Sequence, residues 1–580
     1  MFDASGNLVW APHNMCTRGQ DLATTWSMGA DGSSVLSGNT APSGAPSYLT
    51  TWTTPTPSSG NAVTAQPVVI GADMTLSIYL RYVNNKWARV GIYSNNNAAN
   101  QVRAWVDLET KTLGTVSAGG TASNARATLT DEGDGWVRLS LSGLNTWFNT
   151  GDGGLLFATT DANGSTTRVG NGATIEAASA IFEMTGAQTP QRWTPKFATT
   201  GSAVYCERLD TDPTDLSKRG VLIEEQRINS IRNSMMIGAV AGTPGTVPTN
   251  WSIPGAAGVT ITTAYGVENG FPYIDVTYSG TNTSGSTFYP VISLDGATSI
   301  AAVNGQTWTH SAYVRKVGGT DAISTWSIDV RGRDAAGVLI SGQSSSTTCT
   351  DAASLSSNRL QTTFTFTDPA IAFTQPRVNR ASVLAGGTID ITIRFGGNQL
   401  EQGAFATSFI PTYGTAATRA GDVADLVTPP PYNPLGTTYY AEFERMGTPV
   451  NSTSESSSGL WFFGTAGATQ VSAPFGFGTS SQIRVDMLNA GVSQCALADF
   501  ATPFTVHKLC ARIAPNDARA AYDATLTSLD TSVSMPASIP TTVMTIGRRE
   551  GTTHQMHGWL RELRIYETAV PDGELVTVTT

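Results

Sequence analysis

Apolar and polar side chains alternate with a period of two along most of this chain. The run Thr388-Ile389-Asp390-Ile391-Thr392-Ile393-Arg394-Phe395 alternates strictly, which makes one face of an extended strand apolar and the other polar. Leu76-Ser77-Ile78-Tyr79-Leu80-Arg81-Tyr82 and Trp136-Val137-Arg138-Leu139-Ser140-Leu141 follow the same rule. Between such runs stand clusters such as Asp131-Glu132-Gly133-Asp134-Gly135 and Gly151-Asp152-Gly153-Gly154, which supply the positive-φ positions of tight turns. The nearest approach to helical spacing, Leu216 to Asn233, is mediocre. The pattern predicts an all-β chain of antiparallel β-sandwich (jelly-roll) domains in series.

A degenerate repeat runs through 1–425. Asn14 to Arg18, followed by Thr24-Thr25-Trp26-Ser27, is echoed by Asn229 to Arg232, followed by Thr249-Asn250-Trp251-Ser252. Ser77 to Val83 is echoed by Ser311 to Val317. Gly186-Ala187-Gln188 with Trp193-Thr194-Pro195 corresponds to Gly397-Asn398-Gln399 with Ile410-Pro411-Thr412. A stiff Pro429-Pro430-Pro431-Tyr432-Asn433-Pro434 segment then precedes a third β pattern, opening at Thr437 and closing at Tyr566. The expected organisation is a sandwich over 1–225, a related one over 226–426, a linker at 427–435 and a third sandwich over 436–580.

Composition narrows the function classes. Only 13% of the 580 residues are charged, six of the 34 basic residues are Lys, and the net charge is −10. With no basic run, nucleic-acid binding is not expected. No stretch is apolar for long enough to span a membrane as a helix, so no membrane insertion is expected, and the start at Met1-Phe2-Asp3 lacks a signal peptide's basic and apolar regions. Cys16, Cys206, Cys349, Cys495 and Cys510 are odd in number and scattered, neither a disulfide framework nor a zinc site. Cys495 and Cys510 either face each other across a strand pair or are two buried thiols.

Several segments resemble a known class. Residues 210–234 run Asp210-Thr211-Asp212-Pro213, then Arg219-Gly220-Val221-Leu222-Ile223-Glu224-Glu225 and Arg227-Ile228-Asn229, and this resembles a recurring segment of phage and prophage virion proteins. Residues 397–423 are similar to the segment that closes a carbohydrate-binding-like jelly roll in those proteins, and residues 2–18 to their first-module start. Residues 436–570 resemble a laminin-G/concanavalin-like sandwich. The resemblance implies a receptor-binding component, head spike or tail fibre, of a phage or gene-transfer-agent particle. It also implies other virion proteins and a symmetric homo-oligomer as partners, and a virion-surface location after assembly in the bacterial cytoplasm and release by lysis.

Catalytic signals are weak. Glycosidases need two carboxylates about 5–9.5 Å apart, but Glu224 and Glu225 are adjacent on an extended segment and point to opposite faces. None of the five histidines sits beside a Gly-x-Ser-x-Gly elbow. His554 and His557 form a His-x-x-His without a third ligand, which reads as a surface turn. No catalytic residue and no metal ligand is assigned. No cofactor is expected, although the Asp131–Gly135 and Gly151–Gly153 loops offer carboxylates for a structural calcium.

Glycan binding leaves a different signature, an aromatic platform beside polar side chains. Trp87 follows Asn84-Asn85-Lys86, Trp105 lies between Arg103 and Asp107, Trp147 sits between Asn145 and Asn149, and Trp326 precedes Asp329. Trp87, Trp105, Trp147, Asn149 and Trp326 are therefore the candidate ligand-binding residues, while Trp136, Trp461 and Trp559 lie inside strand patterns and read as core. The expected function is non-enzymatic adhesion to host surface polysaccharide, capsule or lipopolysaccharide. The alternatives are a glycan depolymerase and a purely structural decoration protein of the virion.

Overall fold

The computed structural model is described here for all residues except 9–10, 12, 17–18, 24–25, 29–30, 56–60, 63–72, 95–96, 145–152, 185–203, 427–429, 447–457, 476–481, 502–504, 542 and 549–554. The side chains of 61–62, 204–205 and 498–501 are likewise left aside. Strands account for 55% of the structure and helix for 2%, and every strand pair is antiparallel among the described residues. The chain divides into two compact units, Val9–Glu207 and Met1–Leu8 with Arg208–Thr580.

In the first unit a six-stranded sheet runs in the order Gly32–Thr40, Pro46–Trp52, Ala173–Met184, Asp73–Tyr82, Trp136–Leu144, Ser123–Gly133. A five-stranded sheet, Asn61–Ala62, Gly153–Thr160, Trp87–Ser94, Gln101–Asp107, Thr112–Gly119, packs against it. Alternation decides what enters the core: Leu76, Ile78 and Leu80 from one sheet and Ala88, Val90 and Ile92 from the other are all 0% exposed. The sheets are so close that a Cβ on Gly143 of the first would stand 2.4 Å from Val102 Cγ1 of the second.

The second unit holds two cores. One lies between the sheet Val259–Glu268, Phe271–Thr281, Thr388–Gln402, Thr307–Gly319, Arg359–Thr365 and the sheet built on Trp326–Arg333. The other lies between a seven-stranded sheet containing Thr437–Arg445 and a six-stranded sheet containing Gly459–Gly464. Two segments that the sequence places elsewhere join this last sandwich. Lys218–Ile223 pairs with Gly558–Tyr566 (Val221 opposite Leu560), and Ala424–Leu426 pairs with Met544–Ile546. The Leu216–Asn233 stretch is thus extended rather than helical, and the α-helix found among the described residues is at Asp572–Thr579, which the period-two pattern does not announce. Tyr432 of the proline segment donates its hydroxyl to Pro536 O at 2.7 Å, so this end of the linker is tied to the third sandwich.

The repeat is visible at atomic detail. Asn14 Oδ1 accepts the N–H groups of Cys16 and Phe182, each at 3.0 Å, and its amide donates to Ala180 O at 3.0 Å. Asn229 Oδ1 accepts the N–H groups of Ile231 and Leu400, each at 3.1 Å, and its amide donates to Asn398 O at 3.1 Å. Ser77 stands opposite Ile181, and Ser311 opposite Gln399. Ser179 and Gly397 both take positive φ, +51° and +57°. Ala180, not Ala187, is therefore the counterpart of Asn398; Gly186–Gln188 lie outside the described residues.

Candidate functional site

The first unit carries a cleft of about 490 Å³ over the outer face of its six-stranded sheet, within the size range of small-ligand sites. Its floor is a fixed ion pair. Arg81 and Glu176 stand opposite each other in register, and Arg81 Nε donates to Glu176 Oε2 at 2.8 Å. Ser47 Oγ and Asn39 Nδ2 donate to Glu176 Oε1 at 2.5 and 3.2 Å. Burial alone would raise the Glu176 pKa, but the hydrogen bonds from Ser47, Ser37, Asn39 and Arg81 outweigh it and hold the carboxyl below its ordinary value. The Arg81 guanidinium also lies 5.1 Å from the ring centre of Trp136, a cation–π contact that fixes its plane. Trp136 is 2% exposed, but it packs on the outer face of the sheet with Tyr79, Ala178 and Ile181 rather than between the sheets.

At the rim, Tyr82 ends its strand and is 39% exposed; it stands opposite the inward Ile175 and so leaves the sheet on the other side from Arg81. Lys111 and Glu109 also line the cleft. Lys111 Nζ reaches Asp131 at 2.8 Å, and Lys86 Nζ reaches Asp107 and Glu109 at 3.2 and 3.4 Å. The arrangement combines an oriented donor and acceptor at the floor, ion-paired charges at the lip and a partly exposed aromatic residue at its edge. Hydroxyl groups, which both donate and accept, match such a lining.

The outer face of the five-stranded sheet gathers two of the sequence candidates. Trp87 and Trp105 project to the same side, Trp87 opposite Asp107 and Trp105 opposite Arg89. Trp87 is half-buried, its ring tucked over Gly114, where a Cβ would come within 2.9 Å of it. Trp105 is 2% exposed and donates its Nε1 to Ser165 O at 2.6 Å, so its indole is fixed under the Ala162–Arg168 stretch rather than free as a platform. Trp326 is 1% exposed and lies 5.4 Å from Tyr278 inside the second core. Its strand turns Trp326, Ile328 and Val330 inward, so it offers no ring face to a ligand. Trp147 and Asn149 lie outside the described residues. Sequence reading missed Arg81 and Tyr82 on one strand and Glu176 on another, which only strand register brings together; Arg89 and Tyr93 were within reach, because Trp87, Arg89, Gly91 and Tyr93 alternate on one face.

Glu224 and Glu225 serve the fold of the second unit. Glu224 binds Arg208 at 2.6 Å and Arg419 at 2.8 Å and accepts from Ser408, while Glu225 binds Arg227 at 2.7 Å and His557 at 3.2 Å. The two carboxylates turn to different partners, as adjacent residues of an extended segment must. His557 is fully buried, not on a surface turn; His554 lies outside the described residues. Asp131 of the turn read as a calcium candidate is taken up by Lys111 and Gly133 N–H, and among the described residues no three His, Cys, Asp or Glu side chains gather as a metal site. Gly151 and Asp152 of the other candidate loop lie outside the described residues. All five cysteines are free thiols.

No protein-family model matches the chain. No curated protein matches it either. Among solved structures it is similar to the N-terminal CBM22-1–CBM22-2 tandem domain of Paenibacillus barcinonensis Xyn10C, at 11% identity and TM-score 0.23 over 69% of this chain and 98% of that one. It is similar to domains LG4-5 of the mouse laminin alpha1 chain, at 12% identity and TM-score 0.20 over 46% of this chain and 84% of that one. A Trypanosoma rangeli sialidase aligns at 10% identity and TM-score 0.21 over 95% and 98% of the two chains. Function has to be read from this chain's own side chains.

Proposed function

We propose that the protein is a non-catalytic adhesin that binds host cell-surface polysaccharide, capsule or lipopolysaccharide, as the receptor-binding spike or fibre of a phage-like particle. The cleft over Arg81 and Glu176 carries this reading: a polar floor of fixed geometry, ion-paired charges at the lip and an exposed Tyr82 at its edge suit the hydroxyls and apolar C–H face of a sugar. Glu176 is held ionised, the opposite of what a general acid for glycosidic cleavage needs. The resemblance of 210–234 and 397–423 to virion segments supplies the particle context and the virion-surface location, with other virion proteins as partners. Weak contacts at each cleft would be multiplied by avidity in a homo-oligomeric spike.

The test is titration of purified host capsule or lipopolysaccharide against the protein by calorimetry, with Tyr82→Ala in parallel and reducing ends measured throughout. Saturable binding that weakens about tenfold in Tyr82→Ala, an aromatic-contact loss of about 1.4 kcal/mol, without new reducing ends is the expected result. The reading fails if no host polysaccharide binds, or if reducing ends accumulate.

A further inference from the structure

The outer face of the five-stranded sheet holds two cations that have no counter-charge among the described residues. On Trp87–Ser94, the inward Ala88, Val90 and Ile92 alternate with outward Trp87, Arg89, Gly91 and Tyr93. On the neighbouring Gln101–Asp107 strand, Trp105 stands opposite Arg89, Arg103 opposite Gly91 and Gln101 opposite Tyr93. The two guanidinium groups are thus diagonal neighbours, and the position between Arg89 and Tyr93 on the strand is a glycine with no side chain to fill it. Arg89 is only 3% exposed, yet it makes no hydrogen bond or ion pair among the described residues, and its Nε is buried without a partner. Arg103, half-buried, has a buried Nε without a partner as well, and its guanidinium carbon lies 5.9 Å from the Trp105 ring centre. Burial first, and then repulsion from Arg103, pull the Arg89 pKa down to about 10, and burial lowers that of Arg103. Both remain cations at neutral pH.

The related sandwich treats the same place differently. Trp326–Arg333 lies between Phe373–Arg380 and Leu339–Thr348, as Trp87–Ser94 lies between Gly153–Thr160 and Gln101–Asp107. There the outward Asp329 is 1% exposed and binds Arg331 at 2.6 Å and Arg377 at 2.8 Å. A buried charge without a partner is costly, and the second copy of the module gives Arg331 and Arg377 a shared carboxylate, whereas among the described residues Arg89 and Arg103 are given none. A guanidinium presents a planar fork that matches a carboxylate with two parallel hydrogen bonds. Half-buried Trp87 and Tyr93 border the position and can meet the C–H face of a pyranose ring.

Deepening the polysaccharide-binding reading on which it rests, we infer that Arg89 and Arg103 form a second subsite that recognises the carboxylate of an acidic sugar unit, a hexuronic acid being the simplest case. The probes are D-glucuronate, D-glucose and glucose 6-sulfate, together with native and carboxyl-reduced host polysaccharide. Glucuronate is expected to bind and glucose not, with affinity falling as salt rises. Arg89→Gln should lose glucuronate at least tenfold while its Tm stays level or rises, because an unpaired buried charge has been removed; a structural arginine would lower it. Arg103→Gln, at the more open position, carries the same test should Arg89→Gln fail to fold. Equal binding of glucuronate and glucose, preference for the sulfated sugar, or unchanged glucuronate affinity in a folded variant each overturn the subsite. If native and carboxyl-reduced polysaccharide bind alike, the acidic subsite falls and the adhesin stands. If neither binds, both fall.

Discussion

Glu176 accepts Arg81 Nε at 2.8 Å across the antiparallel pair of Ala173–Met184 and Asp73–Tyr82, and this pair is the floor of the first-unit cleft. Replacing Glu176 by Gln leaves Arg81 without its counter-charge and removes an acceptor shared by Ser47 and Asn39. Breaking a fully buried ion pair costs about 3–5 kcal/mol. Because the Arg81 side chain is 27% exposed, water recovers part of that, and a loss of about 2 kcal/mol is expected in urea unfolding. An unchanged midpoint in Glu176→Gln would show that the pair does not hold the floor.

Asn14 and Asn229 make a second, paired prediction. Both are 0% exposed, and each accepts two backbone N–H groups and donates to a backbone carbonyl. Truncation to Ala strands those buried groups, each worth about 1–3 kcal/mol, so both variants should lose at least about 2 kcal/mol. Asn14→Ala should affect the transition of Val9–Glu207, and Asn229→Ala that of the other unit. If one variant is silent while the other unfolds, the shared hydrogen-bond pattern is not a shared structural device.

Strands were legible where alternation is local, as in Leu76–Tyr82 and Thr388–Phe395, and two signposts of the repeat, Asn14 with Asn229 and Ser77 with Ser311, make corresponding hydrogen bonds or strand pairings. What local pattern cannot carry is pairing at long separation. Nothing around Val221 announces Leu560 as its neighbour, so the segment reads as the end of the first sandwich, 1–225, although it completes a sheet of the third. The site was half-legible for the same reason. Trp87 and Trp105 carry polar neighbours in sequence, but whether an indole is open depends on what folds over it, and Ser165 closes Trp105. Arg81 and Glu176 are far apart in the chain and meet only through strand register. Trp326 misled because a strand's inward face depends on where the strand enters the sheet.

Acid sensitivity is expected in the second unit. Burial would raise the Glu224 pKa, but the attraction of Arg419 and Arg208 and the hydrogen bonds of Ser408 outweigh it and hold the carboxyl well below its ordinary 4.5. A depressed folded pKa means the unfolded chain takes up the proton first, so the stability from Glu224 is complete above about pH 4.5 and is lost as pH falls toward the folded value. Melting of the wild type from neutral pH downward should show this loss beginning near pH 4.5. Glu224→Gln should begin about 3–5 kcal/mol lower at neutral pH, and its acid slope should be shallower. Parallel acid slopes in the two proteins would assign the sensitivity to other carboxylates.

Trp87 and Trp326 separate binding from packing. Trp326 is 1% exposed in the core that also holds Tyr278, Ile328 and Val330, so Trp326→Ala should open a cavity and cost about 3–5 kcal/mol. Any glycan affinity lost with it should track the fraction unfolded. Trp87 is half-buried, first on its strand and outward-facing, so Trp87→Ala should cost only about 1–2 kcal/mol and leave the protein fully folded at room temperature. Its polysaccharide affinity should nevertheless fall several-fold, because an aromatic wall of the Arg89 face has gone. Calorimetric titration and thermal melting of both variants check the contrast. Should Trp87→Ala keep full affinity while Trp326→Ala, still folded, loses it, the binding surface lies on the second sandwich rather than on the first.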